Sequence, residues 1–349
     1  MILVTGATGL LGIYLLMELS EKETKKIKAT FRSETKKQEA KDLFFKYNNY
    51  SNTQENWNKI IWIKTDITNI PELDLAFDSI SEVYHCAGYI SFITSEFEKL
   101  KKINIEGTAN VVNMALKYSV EKFCHVSSIS TLNLAPGETT FNEKSNWNPE
   151  LKNTVYAISK FGGEMEVWRG IQEGLNAVIV KPGVIIGSGF FNTGSSKIFK
   201  NTYNGIPFYT TGKTGYISIL DCVKTMHFLM INSLFNDSFI LVSENKTHKE
   251  VIDTICSIYN HKLPKRHISK KLLKPFAYTE DILNKTFNYT PKIPLEIIDS
   301  LFNSSEYINT KITNVINWEF EQVDNTLKKV SADYYSSLSD NSSSSDSLS

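Results

Sequence analysis

The residues best suited to acid–base chemistry are Tyr156 and Lys160, which lie four positions apart. On a helix this spacing puts both side chains on one face, where the ammonium can lower the pKa of the phenol. Such a phenol can give a proton to a carbonyl oxygen near neutral pH, or remove one from an alcohol. Because the same spacing also begins at Tyr118, Tyr209 and Tyr307, the surroundings of each pair must decide between them.

The segment around Tyr156 is the one that fits a site. Residues 156–171 have the pattern of a long helix, and they follow the loop after a candidate strand at 122–127. That strand runs into Ser127-Ser128-Ile129-Ser130, which delivers hydroxyl groups to the carboxyl edge of a sheet. The other pairs run off a helix, cross a glycine loop or fall late in the chain. We therefore predict that Tyr156 and Lys160 are catalytic, beside one of these serines.

The first twelve residues predict a binding site for a dinucleotide. Residues 2–5 read as a buried strand, and three glycines follow in the spacing Gly6-x-x-Gly9-x-x-Gly12. Gly6 permits a sharp turn, Gly9 lets the backbone approach a pyrophosphate, and Gly12 lets the next helix pack closely on the strand. The anion then rests on N–H groups at the start of that helix. The predicted contacts are Thr5, Gly6, Thr8, Gly9, Leu10, Leu11 and Gly12.

Arg32 follows the second candidate strand, 27–31, at the place where a dinucleotide site meets the adenosine ribose. An NAD site usually has Asp or Glu here, whereas a guanidinium can hold a 2′-phosphate through two hydrogen bonds. Arg32 therefore favours NADP as the cofactor, with NAD as the alternative.

The chain as a whole has the pattern of an α/β protein. Apolar β-branched runs alternate with helical periods, which predicts a Rossmann-like, doubly wound parallel sheet with helices on both faces. The predicted strands are 2–5, 27–31, 60–64, 82–86, 122–127 and 177–181. We expect an NAD(P)-binding domain at 1–183 and a smaller substrate-binding lobe at 184–335, partly interleaved with it. The Ser-rich end, 336–349, is expected to be disordered because it is too polar to form a core.

The charge balance bears on the partners of the protein. The 349 residues include 38 basic and 38 acidic side chains, which argues against nucleic-acid and membrane partners and favours a small-molecule substrate. The four cysteines are scattered, which predicts reduced thiols and no metal site. A strand that begins at the first residue and the lack of long apolar runs predict a cytoplasmic protein.

Several segments resemble the extended short-chain dehydrogenases/reductases, the NAD-dependent epimerase/dehydratase family. They are the glycine-rich turn, Ser127-Ser128, Tyr156 to Lys160, Asn104-Ile-Glu-Gly-Thr108 and Lys181-Pro182-Gly183-Val184. Ala29-Thr-Phe-Arg32 and the run from His85 to Phe92 are similar to the dihydroflavonol 4-reductase and 3β-hydroxysteroid dehydrogenase group.

This resemblance implies roles for further residues. It makes Ser128 the hydroxyl that orients the substrate oxygen, with Ser127 or Ser130 as substitutes, and it lets Tyr156 and Lys160 also contact the cofactor. It further implies a homodimer that pairs through two long helices, 95–118 and 156–171. The additional cofactor contacts that it implies are Asp66, Ile67, Ala87, Gly88, Asn104, Pro182, Gly183 and Val184.

Three functions are open at this point. We favour an NADP(H)-dependent oxidoreductase that moves a hydride between nicotinamide and the carbonyl or alcohol carbon of a small, apolar or aromatic substrate. A nucleotide-sugar epimerase or dehydratase with bound NAD is the alternative. Two residues argue against it: Arg32 occupies the position at which such NAD sites have an acidic residue, and Ile129 occupies the position at which sugar dehydratases have an Asp-Glu pair. A non-catalytic NAD(P)-binding sensor or scaffold is the third, and the retained Tyr156 and Lys160 argue against it.

Overall fold

Strands and helices alternate through the first half of the chain. The computed structural model describes residues 1–48, 52–287 and 289–345, with the backbone alone for 339–345. The strands are β1 (Ile2–Thr5), β2 (Ile27–Phe31), β3 (Ile60–Lys64), β4 (Glu82–His85), β5 (Lys122–Val126), β6 (Ala177–Pro182), β7 (Val184–Ile186), β8 (Phe208–Tyr209), β9 (Lys213–Ser218), β10 (Asp237–Leu241), β11 (Glu244–Thr247) and β12 (Arg266–His267).

The helices cover both faces of the main sheet and most of the later chain. A π-helical segment, Lys101–Glu106, separates two of them. The α-helices are α1 (Leu10–Lys22), α2 (Glu34–Tyr47), α3 (Thr53–Asn58), α4 (Ile70–Phe77), α5 (Phe97–Leu100), α6 (Gly107–Lys117), α7 (Val155–Gln172), α8 (Lys197–Tyr203), α9 (Ile219–Ile231), α10 (His248–Ile258), α11 (Lys270–Phe287), α12 (Thr310–Thr313) and α13 (Val323–Ser345).

The main sheet has seven parallel strands in the order β10-β6-β5-β4-β1-β2-β3. Strand β1 pairs with β2 on one side and with β4 on the other, so the winding of the chain reverses at β1. Doubly wound proteins bind ligands at the carboxyl ends of the strands that flank such a reversal. The predicted α/β, Rossmann-like fold is confirmed, and β1 to β6 agree with the predicted strands to within one residue at either end.

A buried apolar layer joins one face of this sheet to α6 and α7. The strands contribute Leu3, Val83 and Phe123, which are fully buried, and the helices contribute Val111 and Val167. Glycine allows the helices to approach closely, because a Cβ on Gly163 would lie 2.2 Å from the carbonyl oxygen of Asn104. The start of α7 therefore lies against the π-helical segment, and their polar side chains meet.

The chain divides into two compact units that are not contiguous in sequence. The first comprises Met1–Pro182, Ile219–Leu241 and Asn309–Trp318. The expected substrate-binding lobe at 184–335, partly interleaved with the NAD(P)-binding domain, stays a prediction. Two segments of this range lie in the first unit, and one of them contains β10, which extends the main sheet beside β6.

The second unit comprises Gly183–Ser218, Val242–Ile308 and Glu319–Ser349. It contains a three-stranded sheet in the order β11-β9-β7 and a two-strand pair of β12 with β8. Its apolar cluster joins α8, α10 and α13 through Phe199, Val251 and Leu327. Among the described residues, no helix is both long enough and apolar enough to cross a bilayer.

The Ser-rich end differs from the expectation of disorder. Helix α13 begins at Val323 and continues to Ser345, while residues 346–349 lie outside the described part of the chain. Val323, Leu327 and Val330 bury one side of the helix in the second unit. Because extending a helix costs far less than starting one, this anchored first half lets the polar residues after 336 continue the helix.

Candidate active site

The glycine turn, residues 6–12, joins β1 to α1 by close backbone contacts. Gly6 has φ of +68°, and a Cβ there would lie 2.6 Å from the Cα of Ala87. A Cβ on Gly12 would lie 2.3 Å from the carbonyl oxygen of Gly6. Both positions therefore require glycine. Helix α1 begins at Leu10, and the amide of Ile13 donates its first backbone hydrogen bond, to the carbonyl oxygen of Gly9. The N–H groups before Ile13 can therefore bind an anion such as a pyrophosphate.

Arg32 lies just beyond β2, at the edge of the sheet. Its side chain is 64% exposed, and one guanidinium nitrogen lies 3.9 Å from Oδ2 of Asp66, which follows β3. The other carboxylate oxygen of Asp66 accepts hydrogen bonds from the amide and the hydroxyl of Thr68. Asp66 therefore caps a turn and also faces Arg32. Ile67, beside it, is buried against Gly107.

His85 links the glycine turn to the helix that follows β4. Its Nδ1 lies 2.7 Å from the Thr5 hydroxyl, and its Nε2 lies 2.9 Å from the Thr108 hydroxyl. Thr108 donates its one proton to the Asn104 carbonyl oxygen, so Nε2 of His85 must be the donor and Nδ1 the acceptor. Burial lowers the pKa of His85 to about 3, which keeps the ring neutral and fits a structural role.

Asn104 ties the segment after β4 to the start of α7. Its side-chain amide accepts a hydrogen bond from the amide of Tyr89 at 2.7 Å and donates to the Ser159 hydroxyl at 2.9 Å. A Cβ on Gly88 would lie 3.5 Å from Oδ1 of Asn104 and 3.9 Å from Nζ of Lys160. The helix expected at 95–118 is therefore interrupted, because the π-helical segment turns Asn104 toward this contact.

Tyr156 and Lys160 lie in the first two turns of α7. The hydroxyl of Thr154 caps this helix by accepting a hydrogen bond from the amide of Ala157 at 3.1 Å. Tyr156 lies beside the side chain of Ser128, which acts to lower its pKa, and its ring packs edge-on against Phe92 with centroids 5.3 Å apart. Lys160 is buried, and its ammonium donates to the carbonyl oxygen of Val126 at 2.7 Å.

Burial dominates the electrostatics of this pair. It raises the pKa of Tyr156 to about 12, although the side chain of Ser128 acts in the opposite direction. Burial lowers the pKa of Lys160 to about 8, opposed by the charge of Glu164 and by Cys86. The effect of the Lys160 ammonium on the pKa of Tyr156 stays a prediction. Tyr156 is protonated at neutral pH.

The serine turn, residues 127–131, presents one hydroxyl to Tyr156. Ser128 also accepts a hydrogen bond from the amide of Ser130 at 3.1 Å. Ser127 points the other way and donates to Glu164 at 2.6 Å. The hydroxyl of Ser130 is buried with no hydrogen-bond partner among the described residues. Of the three serines considered from the sequence, Ser128 is the one beside the phenol.

Two polar residues beneath the serine turn, and Thr131 at its end, were not predicted as part of the site. Glu164 and Lys181 form a buried ion pair with 2.5 Å between Oε1 and Nζ, and Thr131 lies against both. A signal was available, because Glu164 continues the four-residue spacing of Tyr156 and Lys160. A lysine inside an apolar strand also needs an acidic partner.

The last predicted contacts fall at the boundary of the two units. Pro182 ends β6 in the first unit, whereas Gly183 and Val184 belong to the second. A Cβ on Gly183 would lie 2.5 Å from the carbonyl oxygen of Gly215, and Val184 pairs with Tyr216. The approach of these residues to a nicotinamide stays a prediction.

Curated relatives match over much of the chain. "Sterol demethylase protein B" from Methylococcus capsulatus is 22% identical over 61% of this chain, and the match spans 65% of that protein, just under two thirds of its length. A "putative dihydroflavonol 4-reductase" from Synechocystis is 23% identical over 84% of this chain and 82% of its own length.

Solved structures share the fold over almost the entire chain. The protein titled gox2253 has a TM-score of 0.77 at 21% identity and covers 96% of this chain and 98% of its own. MoeE5, solved with UDP-glucose and NAD, has a TM-score of 0.72 at 16% identity over 97% of this chain and 99% of its own.

A family model assigns the chain. The model of the NAD-binding family described as "Male sterility protein" matches residues 4–234. This match includes the glycine turn, the serine turn, Tyr156 and Lys160. The chain belongs to this family, within the extended short-chain dehydrogenases/reductases, and is an NAD(P)-dependent enzyme of that type.

Proposed function

We propose that the protein is an NADPH-dependent reductase that converts a carbonyl group of a small apolar or aromatic molecule to an alcohol. The placement of the Ser128 side chain beside Tyr156, with Lys160 one turn further along α7, carries this proposal. These groups lie after β5, and the glycine turn lies after β1 in the same parallel sheet. In this proposal the first unit contributes both the glycine turn, which binds the dinucleotide, and the proton donor Tyr156.

The direction of reaction follows from the protonation of Tyr156. Bound NADPH supplies the hydride. As negative charge develops on the carbonyl oxygen, Tyr156 donates its phenolic proton there, and Ser128 orients that oxygen by a hydrogen bond. Lys160 stabilises the phenolate that remains. A phenol whose pKa is raised to about 12 is fully protonated at neutral pH, which favours reduction over the reverse oxidation.

The preference for NADP rests on Arg32. Its exposed guanidinium can hold a 2′-phosphate through two hydrogen bonds. Helix α2 begins just after Ser33, and the positive end of its dipole would also attract the phosphate. Asp66 lies within reach of Arg32 and would accept from the ribose of NAD if Arg32 moved aside. NADP is therefore the proposed cofactor, and NAD is the competitor in the test.

The apolar character of the substrate is inferred from the side chains beside Tyr156. Phe92 presents its ring edge to the phenol, and Ile90, two residues earlier, is 60% exposed. Both follow β4 at the carboxyl edge of the sheet. An apolar wall at this place favours a substrate whose carbonyl adjoins a hydrocarbon or aromatic group.

The test is a panel of aliphatic ketones, aryl ketones and lactones, followed by the loss of NADPH absorbance. Tyr156→Phe should lower kcat by about 10³-fold and leave the Kd for NADPH unchanged, because only the proton donor is removed. Tyr118→Phe is the matched control, since Tyr118 begins the same spacing and its hydroxyl bonds to Asp74. Unchanged turnover in Tyr156→Phe would contradict the assigned role.

A nucleotide-sugar epimerase is the second candidate, because MoeE5 binds UDP-glucose and NAD. An enzyme of that kind returns the hydride to the same sugar, so its dinucleotide stays bound through the cycle. NAD that remains with the purified protein, together with a rise in Tm on adding UDP-glucose, would support this candidate over the reductase.

We also propose that the protein is a homodimer that pairs through α6 and α7. Ile158 and Met165 lie seven residues apart on one face of α7, where they are 37% and 45% exposed. Light scattering after gel filtration should give twice the mass of the chain, and Ile158→Glu should give the monomer. A monomeric wild type would contradict this pairing.

A further inference from the structure

A buried ion pair lies directly behind the serine turn. Glu164 and Lys181 are 3% and 6% exposed, and their charged atoms are 2.5 Å apart. Glu164 is on α7, one turn after Lys160, while Lys181 is in β6. The pair therefore connects the helix that carries Tyr156 to the strand next to β5.

The carboxylate of Glu164 holds the serine turn at both ends. Its Oε2 accepts from the Ser127 hydroxyl at 2.6 Å and lies 3.1 Å from the Thr131 hydroxyl oxygen. Thr131 shares its one proton between this oxygen and the carbonyl oxygen of Ser128 at 2.9 Å. Lys181 donates to the same Thr131 oxygen at 3.1 Å. The ion pair thus fixes Ser127, which precedes Ser128, and Thr131, which hydrogen-bonds to the carbonyl oxygen of Ser128.

The remaining donor of this cluster is Trp168. Its indole N–H lies one turn further along α7 and donates to Oε1 of Glu164 at 3.2 Å. With two hydroxyls, one ammonium and one indole around it, the carboxylate has partners on both oxygens. A buried network in which both carboxylate oxygens have partners favours one geometry, which is the property that a positioning device needs.

Stability alone does not account for a buried ion pair. Replacing such a pair by apolar side chains of similar size is often neutral or stabilising, because the two charges no longer have to be desolvated. An apolar pair would fill the same space here but would offer nothing to the hydroxyls of Ser127 and Thr131. The ion pair provides fixed hydrogen-bond partners for the turn.

We propose that Glu164 and Lys181 are positioning residues, which hold the serine turn so that the Ser128 hydroxyl faces Tyr156. The inference rests on the proposed reductase function and extends it to two residues that touch neither substrate nor cofactor. They act on the turn through Ser127 and Thr131, so their removal changes how often Ser128 is in place and leaves the Tyr156 phenol intact. Because the charge of Glu164 also raises the pKa of Lys160, kcat is compared at a pH well below 8, where Lys160 stays charged.

The test compares Glu164→Leu/Lys181→Met with the wild type. The double variant removes both charges together, so no charge is left unpaired. Its Tm should therefore fall less than that of Glu164→Leu alone, although Ser127 and Trp168 lose their acceptor. With a reducible ketone from the panel, kcat should fall by about 10-fold to 100-fold while the Kd for NADPH stays within about 2-fold. Glu173→Gln, which breaks an exposed pair on the same helix, is the control and should leave kcat unchanged.

Amide hydrogen exchange provides a second readout that needs no substrate. The amides of Ser130 and Thr131 donate within the serine turn, to the hydroxyl and the carbonyl oxygen of Ser128. They should exchange faster in the double variant, while the amides of β5 keep their protection. A purely structural pair would instead change exchange in β5, β6 and α7 together, or not at all.

The outcomes separate this inference from the proposed function. A wild type that reduces no member of the panel contradicts the reductase, and the exchange rates then decide the inference alone. A double variant with native exchange in the serine turn, or with native kcat in an active enzyme, overturns the inference. If the double variant does not fold, Ser127→Ala removes one support only and should show the same pattern with smaller effects.

Discussion

The glycine turn and the serine turn occupy the same edge of one sheet, but they are built in different ways. The glycine turn comes from seven consecutive residues, and backbone atoms fix its shape, because Gly6 and Gly12 leave no space for a Cβ. The serine turn depends on side chains from distant segments, since Glu164 and Lys181 approach it from α7 and β6. One region is held by steric exclusion and the other by buried charge.

This difference predicts different sensitivities. The glycine turn, which is fixed by excluded volume, should lose its binding of NADPH when a methyl group is added, and its shape should not depend on pH. A site held by buried charges and hydrogen bonds should tolerate small changes of shape but should respond to pH and to the loss of single polar atoms.

The largest effect is expected from Gly6→Ala. The new Cβ would lie 2.6 Å from the backbone of Ala87, and φ of +68° adds strain. The matched control is Gly137→Ala, since Gly137 has φ of +89° but nothing within 4 Å of a Cβ. Both changes cost about 1–2 kcal/mol from the left-handed backbone, and only Gly6→Ala should also abolish NADPH binding in a fluorescence titration. Equal losses in both variants would show that the close approach is unimportant.

Lys160→Met should have the next largest effect, a loss of about 100-fold in kcat. The pKa of Lys160 lies at about 8, so the ammonium is present below this pH and disappears above it. The wild-type kcat should therefore decrease as pH rises through about 8, and Lys160→Met should show no such decrease. Glu164 and Cys86 raise the pKa of Lys160, and His85 and His125 face it as neutral rings. A wild-type profile that rises across this range would contradict the assignment.

Arg32→Asp tests the part of the proposed cofactor site that meets the adenosine ribose. Loss of a charge-assisted pair with the 2′-phosphate should weaken NADPH binding by about 10-fold to 100-fold and leave NADH binding nearly unchanged. Arg266→Asp, at an exposed arginine of the second unit, is the control for a general change of charge. If Arg32→Asp weakens both cofactors equally, NADP is not the preferred one.

His227→Gln should have the smallest effect. His227 on α9 lies 2.9 Å from Glu23 and 3.6 Å from Glu18 on α1, and these carboxylates raise its pKa despite its burial. Its stabilising contribution is therefore full below the ordinary value of about 6.5 and is lost as pH rises through the raised value. The Tm of the wild type should fall over that range more than the Tm of His227→Gln. The affinity for NADPH should not change with pH as these two Tm values do, because steric contacts fix the glycine turn.

The sequence was informative where neighbouring residues decide the structure. The glycine spacing, the six central strands and the position of Tyr156 are local patterns, and each predicted its element. Glu164 and Lys181 were not predicted as part of the site, because they are 17 residues apart in sequence and meet only when α7 packs on β6. The π-helical segment at Asn104 was missed for a related reason, since its contacts to Tyr89 and Ser159 define it.

The later chain was harder to predict. Strand β10 was not identified, because its pairing with β6 requires the chain to return from the second unit. The helical state of the Ser-rich end could not be read from its own composition, because the apolar residues that anchor α13 lie before it. In both cases long-range packing overrides the local pattern.

Transfer of deuterium from NADPH that carries deuterium at both C4 positions measures hydride delivery and the role of Tyr156 together. A ketone from the panel is reduced by the wild type and by Tyr156→Phe, and the alcohol is analysed by mass spectrometry. We expect one deuterium on the former carbonyl carbon with the wild type and about 10³-fold slower labelling with Tyr156→Phe. An alcohol without deuterium, or equal labelling rates in the two proteins, would contradict it.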